Sequence, residues 1–346
     1  MQSQDEYFDE LVLLIQGFQV TRILKAAADL GLADLIQPGE SVAVEHLAAH
    51  CEIDPKRLLR LCRALAAFGV FTLDASAHVG HSKKSLLLRT DSKRSLHYLA
   101  RFYAMPSNWA TWAAFDHGLR LGRTASEIAL GALRMEYFNT HADEAEIFNA
   151  AMAHRPEDSH SEIAAVYDFS DASFIVDVGG GNGTLLRNIL SRYSRPKGVT
   201  FDRDEVVARA REDASWATLG DRHRFEGGNF FERVPAGGDI YLLSDIVGNC
   251  SDESYQVVLR NCRAAMRNGG RVLVIERILD ANPAKGNQRD YLIDLHFMLN
   301  YPEASLRSLS EHEMLLSAAG FRSTRVIPTA SSFSLIEAER TDSVHG

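Results

Sequence analysis

The chain has 346 residues, enough for about two domains with a real core. Its 46% hydrophobic and 24% charged residues are ordinary for a soluble globular enzyme, and a net charge of −9 argues against nucleic acid as the main partner, because phosphate binding rests on clustered cations. The four cysteines (Cys51, Cys62, Cys250 and Cys262) lack C-x-x-C spacing and read as buried thiols rather than metal ligands. No apolar run reaches membrane-spanning length and the first residues are acidic, unlike a signal peptide, so a cytoplasmic protein with no membrane partner is expected.

Apolar residues recur at helical spacing from Tyr7 to Leu35 (Leu11, Leu14, Ile15, Phe18, Ile23, Leu24, Ala27, Leu30). This region is apolar on more than one side, which predicts burial against a partner as well as its own domain. Ser41 is placed to cap a short helix. A second helix follows over Pro55–Phe68, then an apolar strand, Gly69–Leu73, and a hairpin-like turn before His78. Helix, turn, helix and β-wing make a winged-helix pattern. Lys56, Arg57, Arg60 and Arg63 raise the question of DNA binding, but a solvated helix face fits an acidic chain better. Leu96–Met152 reads as a series of helices carrying Trp109 and Trp112. After Tyr167-Asp168-Phe169 the pattern becomes strand–helix alternation, with strands expected at 174–178, 198–202, 239–244, 271–276 and 332–337 and a short one near Arg224. Together these imply a parallel α/β sheet. The expected boundaries are 1–95, 96–160 and 161–346.

The most informative stretch is Ile175-Val176-Asp177-Val178-Gly179-Gly180-Gly181-Asn182-Gly183, a β-branched strand that ends near an acid and turns through glycines into a helix. The spacing is Asp-x-Gly-x-Gly-x-Gly. A dinucleotide fingerprint would need glycine at the position of Thr184. With no pyrophosphate to seat, the acid suits a cationic, amino-acid-like ligand, which points to S-adenosylmethionine. The strand Gly198–Phe201 ends in Asp202, about 20 residues on, where a carboxylate grips ribose hydroxyls in this topology.

These motifs, with Asp239–Leu243, Asn268–Glu276, Ala318-Ala319-Gly320-Phe321 and Phe333–Ala338, resemble the small-molecule O-methyltransferases of the caffeic-acid and hydroxyindole type over nearly the whole chain. The resemblance implies an α/β Rossmann-like methyltransferase domain behind an N-terminal, mainly helical winged-helix dimerisation domain, and hence a homodimer. It also implies a connecting helical region, 96–160, that forms part of the acceptor pocket. It assigns Asp177, Gly179, Gly180, Gly181 and Gly183 to the methionine-moiety loop and Asp202 to the ribose. Asn229 and Phe230 fall at the adenine contact, and Ser244 stands where many relatives carry Lys. The product form of the cofactor would be S-adenosylhomocysteine.

The catalytic positions depart from the family. The His-Asp-Trp triplet, whose His removes the acceptor's proton, aligns with Gly248-Asn249-Cys250. A family Glu aligns with Leu306, before Arg307-Ser308, and only Glu276 is retained. This pattern resembles the anthracycline-tailoring branch, which includes O-methyltransferases without the His and sister proteins that hydroxylate or decarboxylate. Orientation can supply ~7–11 kcal/mol, against 10²–10⁴-fold for a general base, so an acidic phenol or enol needs little help. The expected function is therefore O-methylation of a phenolic or enolic hydroxyl on an aromatic or polyketide-like secondary metabolite. Glu276 and Asn249 would be positioning groups, and His296 a candidate replacement base. Trp109, Met152, His154, Asp245, Phe297 and Met298 are expected at the acceptor. For Asp245 the alternative is a helix cap, and for the aromatic residues it is ordinary packing. The alternative functions are a hydroxylase, decarboxylase or cyclase on the same cofactor-binding fold and, more distantly, a winged-helix regulator.

Overall fold

The computed structural model describes residues 4–153 and 158–341. The chain divides into two compact units, residues 1–156 and 157–346.

The first unit opens with helices α1 (Gln4–Ile15) and α2 (Gly17–Asp29), which meet at a 51° bend. The expected helical region is thus two helices, and the break falls at Gln16, beside Gly17, a residue that costs helix stability. Strand β1 (Ser41–Ala43) precedes α3 (Val44–His50), so Ser41 lies in a strand and does not cap the helix. Helix α4 (Pro55–Ala67) starts where expected. Asp54 accepts a hydrogen bond from the Arg57 N–H at 3.0 Å, and Pro55 supplies a helix-ready φ in the first turn. Strands β2 (Phe71–Leu73) and β3 (His78–His81) complete a three-stranded antiparallel wing in the order β1-β3-β2. Its core gathers Leu32, Ile36, Leu47, Leu58, Leu65 and Val79, all but excluded from solvent. The first helix contributes nothing to that core. Tyr7, Phe8, Leu11, Leu14, Ile15 and Phe18 are all more than half exposed, a surface that a partner must cover if it is not to meet water.

Six further helices follow: α5 (His97–Tyr103), α6 (Pro106–Ala113), α7 (Phe115–Leu121), α8 (Ala125–Leu130), α9 (Arg134–Phe138) and α10 (Ala142–Ala153). Phe102, Met105, Phe138 and Ala151 form their apolar centre, with Met152 packed against it. Arg134 is buried there and donates to the hydroxyls of Ser107 and Thr111 at 2.6 and 3.1 Å, which satisfies a charge that could not otherwise leave water.

The second unit begins with α11 (Asp158–Val166) and is built on a seven-stranded sheet. Its strands are β4 (Phe174–Val178), β5 (Lys197–Asp202), β6 (His223–Gly227), β7 (Ile240–Ser244), β8 (Arg271–Glu276), β11 (Phe321–Pro328) and β12 (Ser334–Arg340). The order is β11-β12-β8-β7-β4-β5-β6. Strands β4 to β8 are parallel, but β12 runs antiparallel to both β8 and β11, so the sheet is mixed and not the purely parallel one expected. Strand β11 was not anticipated, because its pattern is largely exposed and carries Arg322 and Arg325. Such polarity is what an edge strand needs to resist pairing with another chain. The closing strand runs 334–340 rather than 332–337.

Alternate residues of the central strands feed two cores. Val176, Val178, Tyr241, Leu243, Val272 and Val274 pack under α14 (Asp252–Ala265) and α16 (Leu309–Ala318). Ile175, Ile240, Leu242, Leu273 and Ile275 pack under α11 and α12 (Thr184–Arg192). Helix α13 (Asp204–Ala210) follows β5. Beyond β8, a two-stranded parallel ribbon joins β9 (Ile278–Leu279) to β10 (Arg307–Ser308), with α15 (Gln288–Asn300) between them in sequence. The connections run in opposite directions from β4, so the crevice between the carboxyl ends of β4 and β7 is the place where a sheet of this topology receives a ligand.

Candidate active site

At the end of β4 the backbone turns through Gly179, Gly181 and Gly183, all with φ between +58° and +77°. Only glycine takes these values without strain. Neighbours forbid a side chain at most of the turn. A Cβ at Gly179 would lie 2.3 Å from the Ile246 side chain, one at Gly180 2.5 Å from Asp177 Oδ2, and one at Gly183 2.6 Å from the Trp216 ring. At Gly181 nothing lies within 4 Å. Gly181 is therefore the residue of the turn beside which space is open.

Asp202, half-buried at the end of β5, accepts from the Gly181 N–H at 2.9 Å through Oδ2 and from the Arg203 N–H at 2.7 Å through Oδ1. The first expected ribose ligand and the open glycine are thus hydrogen-bonded neighbours. Asp177 lies beneath the turn, 1% exposed. Its Oδ2 has no hydrogen-bond partner among the described residues. Burial, then the nearby charge of Asp202, push its carboxyl up to about 7. A carboxylate in this condition is suited to a cation above it, which fits the ammonium of an amino-acid moiety. Gly227-Gly228 lead from β6 to Asn229, whose Oδ1 accepts from the Phe231 N–H at 3.0 Å while its Nδ2 donates to Glu232 at 3.1 Å. Asn229 therefore shapes the turn that presents Phe230, a ring packed towards Gly179.

The opposite bank of the crevice is the β7–α14 connection. Ser244 is half-buried at the end of β7. Asp245 follows with φ +55°, one of three non-glycine residues in the left-handed region among those described. Its N–H continues the ladder to the Ile275 carbonyl at 3.1 Å, and its own carbonyl accepts from Asn249 Nδ2 at 3.3 Å. Asn249 thus braces the turn that aims Asp245. The Asp245 carboxylate, about a third exposed, stands 3.8 Å from the Arg277 guanidinium. Arg277 also faces Asp290 at 3.6 Å and stacks 4.2 Å over the Phe333 ring.

Glu276 is 1% exposed and accepts from the Gly248 N–H at 3.2 Å and the Arg277 N–H at 3.1 Å. Burial, with the Asp245 charge second, raises its pKa. A Cβ at position 248 would come within 3.2 Å of Glu276 Oε2, so the carboxylate already occupies the room in which a longer side chain would begin. Glu276 lies under the loop and Asp245 lies on it.

One buried cation holds this loop. Arg307 donates to the carbonyls of Val247 and Cys250 at 2.8 and 2.7 Å and pairs with Asp252 at 2.8 Å. Sequence reasoning noted Arg307 only as the neighbour of the lost Glu. Its role depends on contacts 55 to 60 residues away in the chain, which no local pattern displays. Trp216 and His223 were missed for the same reason. Their rings stack at 3.8 Å behind Gly183, and His223 bonds the Thr200 hydroxyl at 3.0 Å.

The remaining expected residues are more dispersed. His296 is buried on α15, 3.4 Å from the Asn300 amide. Phe297 packs edge-on to Tyr301, and Met298 is exposed on the same helix. In the first unit Trp109 is 37% exposed with Arg22 over its ring, and Met152 is half-buried. His154 lies outside the described residues.

Comparison with known proteins agrees with this geometry. A family described as the O-methyltransferase domain matches residues 112–322, and the O-methyltransferase dimerisation domain matches residues 12–85. The chain is 36% identical to O-demethylpuromycin-O-methyltransferase of Streptomyces alboniger, covering 95% of this chain and 88% of that protein. It is 34% identical to the phenazine O-methyltransferase PhzM of Lysobacter antibioticus over 95% of both. Among solved structures, the O-methyltransferase NcsB1 from neocarzinostatin biosynthesis, in complex with S-adenosylmethionine and 2-hydroxy-5-methyl naphthoic acid, superposes with a TM-score of 0.74 at 27% identity, covering 92% of this chain and 95% of that one. The dimerisation domain contains the exposed apolar residues at the end of α1 and start of α2, which supports a homodimer. With its glycine turn, Asp202 and mixed sheet, the chain belongs to the O-methyltransferase family and is an S-adenosylmethionine-dependent methyltransferase.

Proposed function

We propose that the protein methylates a phenolic or enolic hydroxyl of an aromatic, polyketide-like secondary metabolite, as a cytoplasmic homodimer with no nucleic-acid or membrane partner. The observation that carries this reading is the packing of Ile246, the residue after Asp245, against Gly179 in the turn that also holds the hydrogen-bonded Gly181–Asp202 pair.

The residues fit the cofactor: an open glycine, a carboxylate bonded to it and a buried acid with an oxygen unused. Bound S-adenosylmethionine supplies an electrophilic methyl group on a cationic sulfur. Asp202 and the Gly181 backbone hold the ribose side, Asp177 answers the ammonium from below, and Phe230 and Asn229 border the adenine. Ser244, half-buried at the end of β7, is assigned to the same cofactor surface.

Asp245 is the group placed to take the acceptor's proton. It is the accessible carboxylate on this loop, stands 3.8 Å from Arg277, and has its turn fixed by Asn249. Asp245 would take the proton of the acceptor hydroxyl as that oxygen is methylated. Glu276 carries the loop through Gly248 and does not itself reach the acceptor. His296 is similarly buried and acts, in this reading, on the shape of α15. Phe297 and the exposed thioether of Met298 on α15 offer flat or polarisable surface to a planar ring.

The test is incubation with S-adenosylmethionine carrying a trideuterated methyl group and a small-molecule extract of the native host. A product that gains the labelled methyl supports the reading and identifies the acceptor. A new product without label, or one formed only with oxygen, would transfer the assignment to a hydroxylase, decarboxylase or cyclase on this fold.

A further inference from the structure

Asp177 has an unusual position for an acid in a binding loop. It sits one strand-residue inside the sheet, 1% exposed, with one carboxylate oxygen unpartnered among the described residues and roofed by Gly180. The roof is thin only because residue 180 is glycine, since a Cβ there would be 2.5 Å from that oxygen. The elements around it bring little to neutralise a negative charge. Strand β5 contributes Asp202, a like charge, and Thr200, whose hydroxyl is bonded to His223 of β6. Burial depresses His223 to about 4, so that imidazole is neutral. Strand β7 faces it with Leu242, and α12 offers the Leu186 N–H. No cation among the described residues acts on Asp177.

We infer that Asp177 carries a proton in the free protein and releases it when the cofactor's ammonium group arrives above the glycine turn. This rests on the cofactor assignment given above and adds to it a specific chemical event. Burial and the Asp202 charge already favour the neutral form in the cofactor-free protein. A cation within a few ångströms in a poorly solvated site reverses that preference. By linkage, cofactor affinity must then rise with pH until Asp177 is ionised without help. Asp177 is on this view a binding residue whose strength is set by solution pH. Asp202 is placed differently: it is half-buried, and both its oxygens accept backbone N–H bonds.

The experiment is calorimetric binding of S-adenosylhomocysteine, which keeps the ammonium and cannot react. Titrations at a pH of about 6.5, where that ammonium is already protonated, are run in phosphate and in Tris, whose ionisation enthalpies differ. The wild-type protein should release roughly half a proton or more per site, seen as a buffer-dependent enthalpy, and its affinity should rise about tenfold between about pH 5.5 and 8. Asp177→Asn should bind with no buffer dependence and a flat pH profile. Wild-type binding with equal enthalpies in both buffers and pH-independent affinity would overturn the inference while leaving the cofactor site intact. Proton release preserved in Asp177→Asn would move the event to another group. Failure of the wild-type protein to bind at any pH would instead overturn the cofactor assignment on which the inference rests.

Discussion

The two banks of the crevice are built on different principles. The β4–β5 bank is made of backbone: three glycines at positive φ, two of them hemmed in by Ile246 and Trp216, and Asp202 hydrogen-bonded to the turn itself. The β7–β8 bank is made of side-chain charge: Asp245, Glu276 and Asp290 about Arg277, and a loop hung on Arg307. Backbone geometry tolerates little variation, because a single Cβ collides with Ile246, Asp177 or Trp216. A charge network can lose one member and regroup. The absence of a side chain at Gly248 is accommodated in this way: Glu276 fills the space and bonds the Gly248 N–H, and the accessible acid is now three residues earlier.

Removing the accessible acid should separate the banks most clearly. Asp245→Asn keeps the size and the bracing by Asn249 but discards the proton acceptor. Single-turnover methyl transfer to whichever acceptor takes the labelled group should fall by about 10²–10⁴-fold. A fall of less than about threefold would mean that orientation alone carries the step and that Asp245 is a turn residue. Arg307→Ala should act on stability. It strips the Val247 and Cys250 carbonyls of their donor and leaves Asp252 unpaired, at a cost of about 3 kcal/mol in denaturant unfolding. An unchanged midpoint would show that the ribbon of β9 and β10 holds the loop without it.

The backbone bank should show itself in pH dependence. An acid whose native pKa lies above its unfolded value keeps its proton longer in the fold, so it favours the native state most at low pH. For Asp177, raised to about 7, that contribution is complete below about pH 4 and is lost as pH rises to about 7. Thermal or urea unfolding of the cofactor-free protein should therefore weaken across this interval, and Asp177→Asn should flatten the decline by on the order of 1–3 kcal/mol. Identical pH slopes would remove Asp177 as the source. The smallest effect is expected at Gly181. Substitution by Ala costs about 1–2 kcal/mol of backbone strain but meets no neighbour, so the fold survives while cofactor binding weakens. If Gly181→Ala bound cofactor as the wild type does, the opening at this residue would not be the ligand's point of approach.

The difference between the banks also explains what the sequence displayed. The glycine spacing, Asp177 and Asp202 lie within one strand–turn–helix and the next strand, so a local pattern carried them, and β4, β5, β7 and β8 fell within about a residue of their expected places. Gly248 and Glu276 were visible through resemblance. That Asn249 braces Asp245, that Arg307 ties down the loop and that Trp216 supports Gly183 were not visible, because each is a long-range contact or a hydrogen bond to backbone. Strand β11 was missed because an exposed, arginine-bearing edge lacks the apolar alternation by which strands are read. Ser41 is a good capping residue in isolation, but pairing with Gly80 across the wing drew it into a strand instead.

The central claim is that cofactor binding and proton removal reside on separate banks. It is tested most directly by measuring S-adenosylhomocysteine affinity by calorimetry for the wild type, Asp202→Ala and Asp245→Asn. On the proposed assignment, loss of Asp202 removes charge-assisted hydrogen bonds to the ribose, and it removes the anchor of the Gly181 N–H, which together should weaken binding by about a hundredfold. Asp245→Asn should bind within about twofold of the wild type, since it leaves those hydrogen bonds in place. Comparable losses in both variants, or undiminished binding by Asp202→Ala, would contradict the division.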